Sequence, residues 1–536
     1  MATAREKRIT LVAAILGTGI VFLDSTVVNI ALPALRDDLG GGLAGQQWVV
    51  EAYLLTLSAL LLIGGSLGDI FGQRRVFFIG VVGFGIASVM CAVSPTIEIL
   101  CVFRGIQGVF AALLTPSTLA IITHVFPEDE RGRAIGTWTA FGAIAGVLGP
   151  LVGGVLIEAL SWRLIFAVNI PVCLVTLWLI ARGVPASADM PQPARIDWLG
   201  AALGAVALAG PVFGLTEQPV RGWDSVVVGS IAVGVVAGVL FILQERRSPA
   251  PMMPLELFSH RNFTIGNLAT LTTYMGLGAM TFLLPLFLQQ VSGYTPVQAG
   301  LALLPITAAM FFLSRRFGGL ADRIGPRVLM GFGPLVAAGG VLLLLLVNSR
   351  ADYVTEVLPG LLVFGLGLSM TVAPLTSTVL GAVDRHRAGV ASGVNNALAR
   401  VAGLLAVAVI GAVASASFTS RLDERLPQRA LPAPARAAVA EAKKRPLGGA
   451  SVSGVAPGER RVLVRAFTDA SEQAFRVGIL VSAFLTGLGG AISLAGIRNP
   501  RRSVPCADCP GGAFVGASQD LARVSRSGAP PEPARA

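Results

Sequence analysis

The chain has 536 residues, 54% of them hydrophobic and only 13% charged, with a formal net charge of +11. Soluble domains carry roughly 25% charged residues, so this balance excludes a water-soluble fold and identifies an integral membrane protein. The basic residues stand in short clusters between apolar runs, which is the pattern of a membrane topology signal and excludes a nucleic-acid surface.

Apolar runs of about 20 residues recur along the chain, each long enough to cross a hydrocarbon core of roughly 30 Å as an α-helix. A β-barrel would show short alternating segments instead. In chain order, about fourteen spans are expected, at residues 9–31, 47–68, 76–94, 97–122, 134–157, 163–182, 198–216, 225–243, 263–288, 297–314, 328–347, 354–380, 388–415 and 474–496. The first follows Arg5, Lys7 and Arg8, is too long for a signal-peptide core and lacks a small-residue cleavage site, so it reads as an uncleaved helix.

Loop charge orients these spans. Arg74, Arg75, Arg131, Arg133, Arg182, Arg195, Arg246, Arg247, Arg261, Arg315, Arg316, Arg385 and Arg387 fall on the side of Lys7 and Arg8, whereas the opposite short loops hold few basic residues, such as Arg36, Arg221 and Arg350. Both termini are therefore expected in the cytoplasm of a multi-pass plasma-membrane protein. Residues 416–473 fall outside by helix parity and read as a long extracellular loop, part linker and part marginal surface helix; 498–536 read as a disordered cytoplasmic tail.

The stretch GSLGDIFGQRR at 65–75 returns as GGLADRIGPR at 318–327, with Gly65, Asp69, Gly72 and Arg74 aligned on Gly318, Asp322, Gly325 and Arg327. One copy joins spans 2 and 3 and the other spans 10 and 11, an offset of eight. Two six-helix bundles with two inserted helices explain it: residues 1–185 form the first bundle, 186–250 hold inserted helices 7 and 8, 251–415 give five helices of the second bundle, and 474–497 give its last. Parallel repeats of this kind place a substrate site between the halves.

These residues resemble the major facilitator superfamily, and within it the fourteen-helix drug:proton antiporters of the actinobacterial multidrug type. GSLGDIFGQRR is similar to the loop 2–3 signature, LCVFRGIQGVFAA at 100–112 to the basic signature of helix 4, and GAIAGVLGPLVGG at 142–154 to the antiporter signature of helix 5. LDSTVVNIALPAL at 23–35, QQWVVEAYLLT in helix 2 and IDWLG before helix 7 resemble the fourteen-helix group. The likeness covers roughly residues 9–415 and the final helix. One departure is Ile70, where the loop signature usually has a basic residue; the second copy keeps Arg323 there.

The resemblance implies a major facilitator fold and proton-coupled efflux of an amphipathic drug or antibiotic. The partners are then a small molecule, protons and the lipid bilayer, and one chain suffices for a transport unit. Export of an endogenous metabolite, or a membrane sensor without flux, are the alternatives. No cofactor is expected. His124, His260 and His386 are scattered, and Cys506 and Cys509 form a lone CxxC with two ligands where structural zinc wants four, so neither an enzyme centre nor a metal site is expected.

Physical roles follow for the motifs. Gly65, Asp69, Gly72, Arg74, Arg75, Asp322, Arg323 and Arg327 form a candidate cytoplasmic gate, in which Asp69 meets the amides of a helix N-terminus in the other half, while Arg74 and Arg75 anchor at the anionic leaflet. Gly142, Gly146, Gly149, Pro150, Gly153 and Gly154 give helix 5 a face for close packing, with Pro150 removing one backbone hydrogen bond.

Charges inside the membrane are costly and usually functional. Asp24 lies about 22 Å up helix 1, and Arg104 about 10 Å below the outer end of helix 4, so their depths nearly coincide and the two can pair or approach one another. Asp24, Glu51 and Arg104 are the proton-coupling candidates, Asp24 also reading as a structural ion pair and Glu51 as an interfacial carboxylate. Gln107, Asn29, Asn396 and Arg400 are expected on a polar substrate cavity, Arg400 also reading as a brace within the C-terminal bundle.

Overall fold

A computed structural model describes residues 3–185, 197–249, 251–383, 388–426, 431–444, 446–448 and 455–499. The tail with Cys506 and Cys509 and the linker at 186–196 lie outside the described residues, as do the side chains at positions 142, 146 and 322.

The described chain is helical. In order come α1 (Ala4–Leu39), α2 (Gly42–Phe71), α3 (Gln73–Ala92), α4 (Ile97–Val125), α5 (Glu128–Ala159) and α6 (Leu164–Gly183). Next are α7 (Trp198–Arg221), α8 (Ser225–Arg247) and α9 (Arg261–Gln290). α10 runs as Pro296–Ala302 and, past Leu303, as Leu304–Ile324. α11 (Pro326–Leu346), α12 (Tyr353–Gly381), α13 (Ala388–Arg425), α14 (Ala433–Lys444) and α15 (Pro457–Gly496) complete it. Among the described residues twelve helices are long and apolar enough to span a membrane, thirteen with α2, which bends between Leu61 and Ile63. The remaining expected span falls on α5, a 32-residue helix of which only Leu148–Ala159 stands out as a shorter apolar stretch.

Local chemistry sets the ends. Thr3 and Glu6 form a capping box that starts α1, and Thr295 and Gln298 form another at α10, each satisfying amides that the first helical turn leaves open. Asp197 caps α7 through the Gly200 amide at 2.7 Å. Burial alone would raise its pKa, but hydrogen bonds from Gly200, Ser248 and Gln244 outweigh this and hold the carboxyl below the usual range. Gly72 between α2 and α3 and Gly325 between α10 and α11 take φ values of +89° and +87°, a left-handed conformation that favours glycine. The duplicated sequence thus makes the same turn twice.

The packing repeats at an offset of eight when the short α14, which is not among the spans, is left uncounted. α2 packs on α4 as α10 does on α12, α1 on α5 as α9 on α13, α3 on α4 as α11 on α12, and α3 on α6 as α11 on α15. α7 and α8 pack on each other, and α7 also lies against both α2 and α13. α8 turns Val228, Val233, Val235, Val236 and Val239 outward, each more than half exposed, as a lipid-facing helix does.

One region differs from the sequence expectation. α13 continues to Arg425 and α15 begins at Pro457, so much of 416–473 is helix rather than linker. Phe418, Leu422, Val439, Leu463 and Phe467 are buried in one apolar cluster with α14. Polar helix formers obscure such extensions in a hydropathy reading, because their apolar residues occupy one stripe only.

Candidate functional site

The helices α1–α6, the first set, carry a sealed polar network; α9–α13 with α15 are the second set. Asp24 on α1 and Arg104 on α4, the pair expected from depth alone, meet at 2.6 Å with side chains 0% and 1% exposed. The second Asp24 oxygen accepts from Gln107 Nε2 at 2.9 Å and from Asn169 Nδ2 of α6 at 3.2 Å. Gln107 Nε2 also reaches Ser88 Oγ of α3 at 2.9 Å, and Gln107 Oε1 accepts from Arg104 Nη1 at 2.6 Å. Arg104 Nε donates to the Val49 carbonyl of α2 at 3.0 Å, and the guanidinium lies 4.2 Å from the Tyr53 ring centre. Charge-assisted bonds in a dry interior tie α1, α2, α3, α4 and α6 together.

Gln107, expected on a substrate cavity, is instead fully buried in this network. Its amide is consumed by Asp24, Ser88 and Arg104 and has nothing left to offer a ligand. Ser88, Asn169 and Tyr53 were not legible as partners. Asn169 offers a signal, being a polar amide within an apolar run; Ser88 offers none.

Glu51 lies apart from the pair. It is 0% exposed and accepts from Thr216 Oγ1 of the inserted α7 at 2.6 Å, while its other oxygen has no hydrogen-bond partner. Burial corrects the reading of an interfacial carboxylate in water. On the same seam Trp48 Nε1 donates to Glu217 at 2.8 Å.

The second set has a neutral counterpart, in which Asn395 Nδ2 donates to Asn267 Oδ1 at 3.0 Å and to Thr270 Oγ1 at 2.8 Å. Arg400 does not brace its own set here: its guanidinium reaches across to Phe22 of α1, 6.0 Å from the ring centre. Asn396 is exposed and bonds only Ser392 of its own helix, and Asn29 keeps a buried Oδ1 without a partner.

Contacts between the sets gather at the helix ends remote from the start of α1. Gln47 Nε2 of α2 donates to the Val407 carbonyl of α13 at 2.8 Å, Gln289 of α9 to the Ile30 carbonyl at 3.2 Å, and Arg36 to Gln290 at 2.8 Å. Gly149 and Gly153 let α5 lie against Thr26 and Val27 of α1, and a side chain at Gly154 would strike the backbone of Pro296 and Val297 at the start of α10. Pro150 sits inside α5, its carbonyl against Gly300.

At the opposite ends, Asp69 accepts from Gln73 Nε2 at 2.8 Å within its own connection. Gly65 faces Pro116, Arg75 and Arg323 are exposed, and Arg74 and Arg327 are engaged within their own sets, at Ile180 and Leu494. The lipid anchoring expected of Arg74 gives way to a carbonyl at a helix end, which needs a donor. No group of His, Cys, Asp and Glu able to hold a metal occurs among the described residues.

Comparison with known proteins agrees with this geometry. Residues 14–407 match the Major Facilitator Superfamily. The chain is 35% identical over 503 residues, 92% of each protein, to the multidrug resistance protein Stp of Mycobacterium tuberculosis. It is 37% identical over 410 residues to the puromycin resistance protein pur8 of Streptomyces alboniger, covering 76% of this chain and 81% of that one. Among solved structures, a bacterial homologue of the lysosomal transporter Spinster, inward-facing and unoccupied, superposes with a TM-score of 0.66 at 17% identity over 93% of this chain and 100% of that one. A helical repeat at an offset of eight, closed on itself at one end and matched over most of its length by such relatives, has one reading: the chain belongs to the major facilitator superfamily and is a multi-pass membrane transporter.

Proposed function

We propose that this transporter exports an amphipathic drug or antibiotic across the plasma membrane in exchange for protons, with both termini in the cytoplasm. The observation that carries export is the 503-residue match to a protein named for multidrug resistance. Proton coupling is supported by Glu51, a carboxylate that the fold buries completely with one oxygen left without a partner, since ionisable groups within a bilayer serve ion pathways. No nucleotide-binding motif accompanies the helices to supply ATP energy.

In this reading α1–α6 and α9–α13 with α15 are the two moving units. With the start of α1 inside the cell, the contacts at Gln47, Arg36 and Gly154 close the outer face. Substrate then enters between the units from within, and the units rock to release it outside. Asp69 belongs to the opposite state, in which the cytoplasmic ends meet.

Reconstitution tests the reading. Proteoliposomes with an acidic lumen are expected to accumulate ethidium or puromycin against a gradient and to alkalinise the lumen as they do so. Uptake that ignores the pH gradient would remove the proton, and absence of uptake for a panel of amphipathic compounds would remove drug export.

A further inference from the structure

Asp24 and Glu51 are both buried, yet their surroundings differ in kind. Asp24 is saturated: Arg104 neutralises one oxygen, and Gln107 and Asn169 donate to the other. A proton arriving there would have to displace a cation and a donor together. Glu51 has a hydroxyl on one oxygen and nothing on the other.

The ionisable groups around Glu51 leave it no cation. α7 presents Glu217, which is engaged by Trp48. α4 presents Cys101 on this side, with Arg104 committed to Asp24. Asp24 of α1 and Cys91 of α3 belong to the ion-pair network. From α13, Arg400 lies against Phe22. A buried carboxyl without a counter-charge is stable only in its neutral form, so Glu51 holds a proton in this conformation.

A cavity begins one helical turn away from it. This cavity of about 170 Å³ is lined by Leu43 and Gln47 of α2, Pro219 of α7, Ser415 of α13, Lys443 of α14 and Pro446 just past it. Lys443 at its mouth is paired with Asp423. Gln47 stands one helical turn from Glu51, on the cavity side, and Pro219 one turn from Thr216. The bond from Gln47 to the Val407 carbonyl joins α2 to α13 here, while Gln47 Oε1 has no partner. Gln47 therefore stands between the cavity and the carboxyl, held there by a contact between the two units.

We propose that Glu51, and not Asp24, carries the coupling proton, and that it takes that proton from the outer face through the cavity bounded by α2, α7, α13 and α14. This rests on the proton-driven reading above. Gln47 is the gate: as the outer ends separate, its bond to Val407 breaks and the carboxylate is reached by water. Thr216 is a positioning residue, which makes the inserted helix part of the proton site. Asp24 and Arg104 are a fixed brace of the first unit.

Infrared difference spectra of the purified protein in lipid vesicles, taken on a pH change without substrate, test this. The carbonyl stretch of a protonated carboxyl is expected to rise and fall with pH, to vanish in Glu51→Gln and to persist in Asp24→Asn. Thr216→Val shifts the midpoint of the band by about one pH unit, the size of one hydrogen bond to a charged group, and Thr216→Ser restores it. In Val220→Cys, made in a background lacking Cys506 and Cys509, a bulky impermeant thiol reagent is expected to slow the response to an outer pH jump. A band that never changes with pH, or one lost in Asp24→Asn and kept in Glu51→Gln, overturns the proposal. Loss of drug transport with an intact Glu51 band would instead remove the export reading alone.

Discussion

Arg74 and Arg327, at matching positions of the duplicated stretch, do the same work in the two halves of the molecule. Arg74 Nη2 donates to the Ile180 carbonyl of α6 at 3.3 Å, and Arg327 Nε to the Leu494 carbonyl of α15 at 2.8 Å. Each arginine follows the glycine turn and supplies a donor to the open carbonyls at the end of the last helix in its set. Arg74→Ala and Arg327→Ala are each expected to cost about 1 kcal/mol of stability, the low side for a bond to a charged donor because both side chains reach solvent. Thermal unfolding of the purified variants measures it, and equal stability of both variants with the parent would show the bonds to be idle.

For the buried pair the expected cost is larger. Arg104→Ala leaves Asp24 without its cation at 0% exposure and should destabilise by about 3–5 kcal/mol. Asp24→Asn keeps the shape and an acceptor but strands the guanidinium. The double variant Asp24→Asn with Arg104→Gln should recover part of the loss, because no unpaired charge remains. A double-mutant cycle on denaturation in detergent gives the coupling, and strict additivity would rule out a brace.

At the outer seam, Gly154→Val places a branched side chain against the backbone of Pro296 and Val297. The closed outer face should become less populated, since the clash exists only where α5 and α10 meet. The expected result is a well-inserted protein whose outer-end cysteine probes label faster than in the parent, with slower export. Unchanged labelling would mean the seam has room to relax.

Orientation is open to direct labelling. In a background with Cys506 and Cys509 replaced by serine, Ala437→Cys on α14 should react with an impermeant thiol reagent added to intact cells, and Ser248→Cys at the end of α8 should not. The reverse pattern would invert the topology.

Asp69→Asn removes little in the observed conformation, where Gln73 is its partner. Its effect should fall on the state in which the cytoplasmic ends meet, through loss of a charge-assisted bond worth roughly 1.5–3 kcal/mol. Transport should drop while thermal stability of the observed form is kept. Full transport with unchanged access to cytoplasmic-side cysteines would reject the latch.

The sequence revealed what rests on one-dimensional order. Asp69 and Asp322 announced the repeat, and Asp24 and Arg104 met because depth along a helix follows from residue count. What it hid depends on rotation about the helix axis and on which helix lies alongside. Nothing in Thr216 marked it as the partner of a carboxylate 165 positions earlier, and Gln107 looked like a cavity residue because its direction could not be read. The ends of α13 and α15 were missed because apolarity on one stripe falls below a hydropathy threshold even where Phe418 and Phe467 pack fully.

Those two helices have a mechanical consequence. With 38 and 40 residues, α13 and α15 are about 57 and 60 Å long at 1.5 Å per residue, roughly twice the hydrocarbon thickness. They act as stiff levers. A small tilt within the bilayer becomes a displacement of several ångströms at their outer tips, and α14, packed on both, travels with them. α14 is therefore a pointer carried by α13 and α15, and a rigid binder that pins it to α1–α6 is expected to arrest the transport cycle.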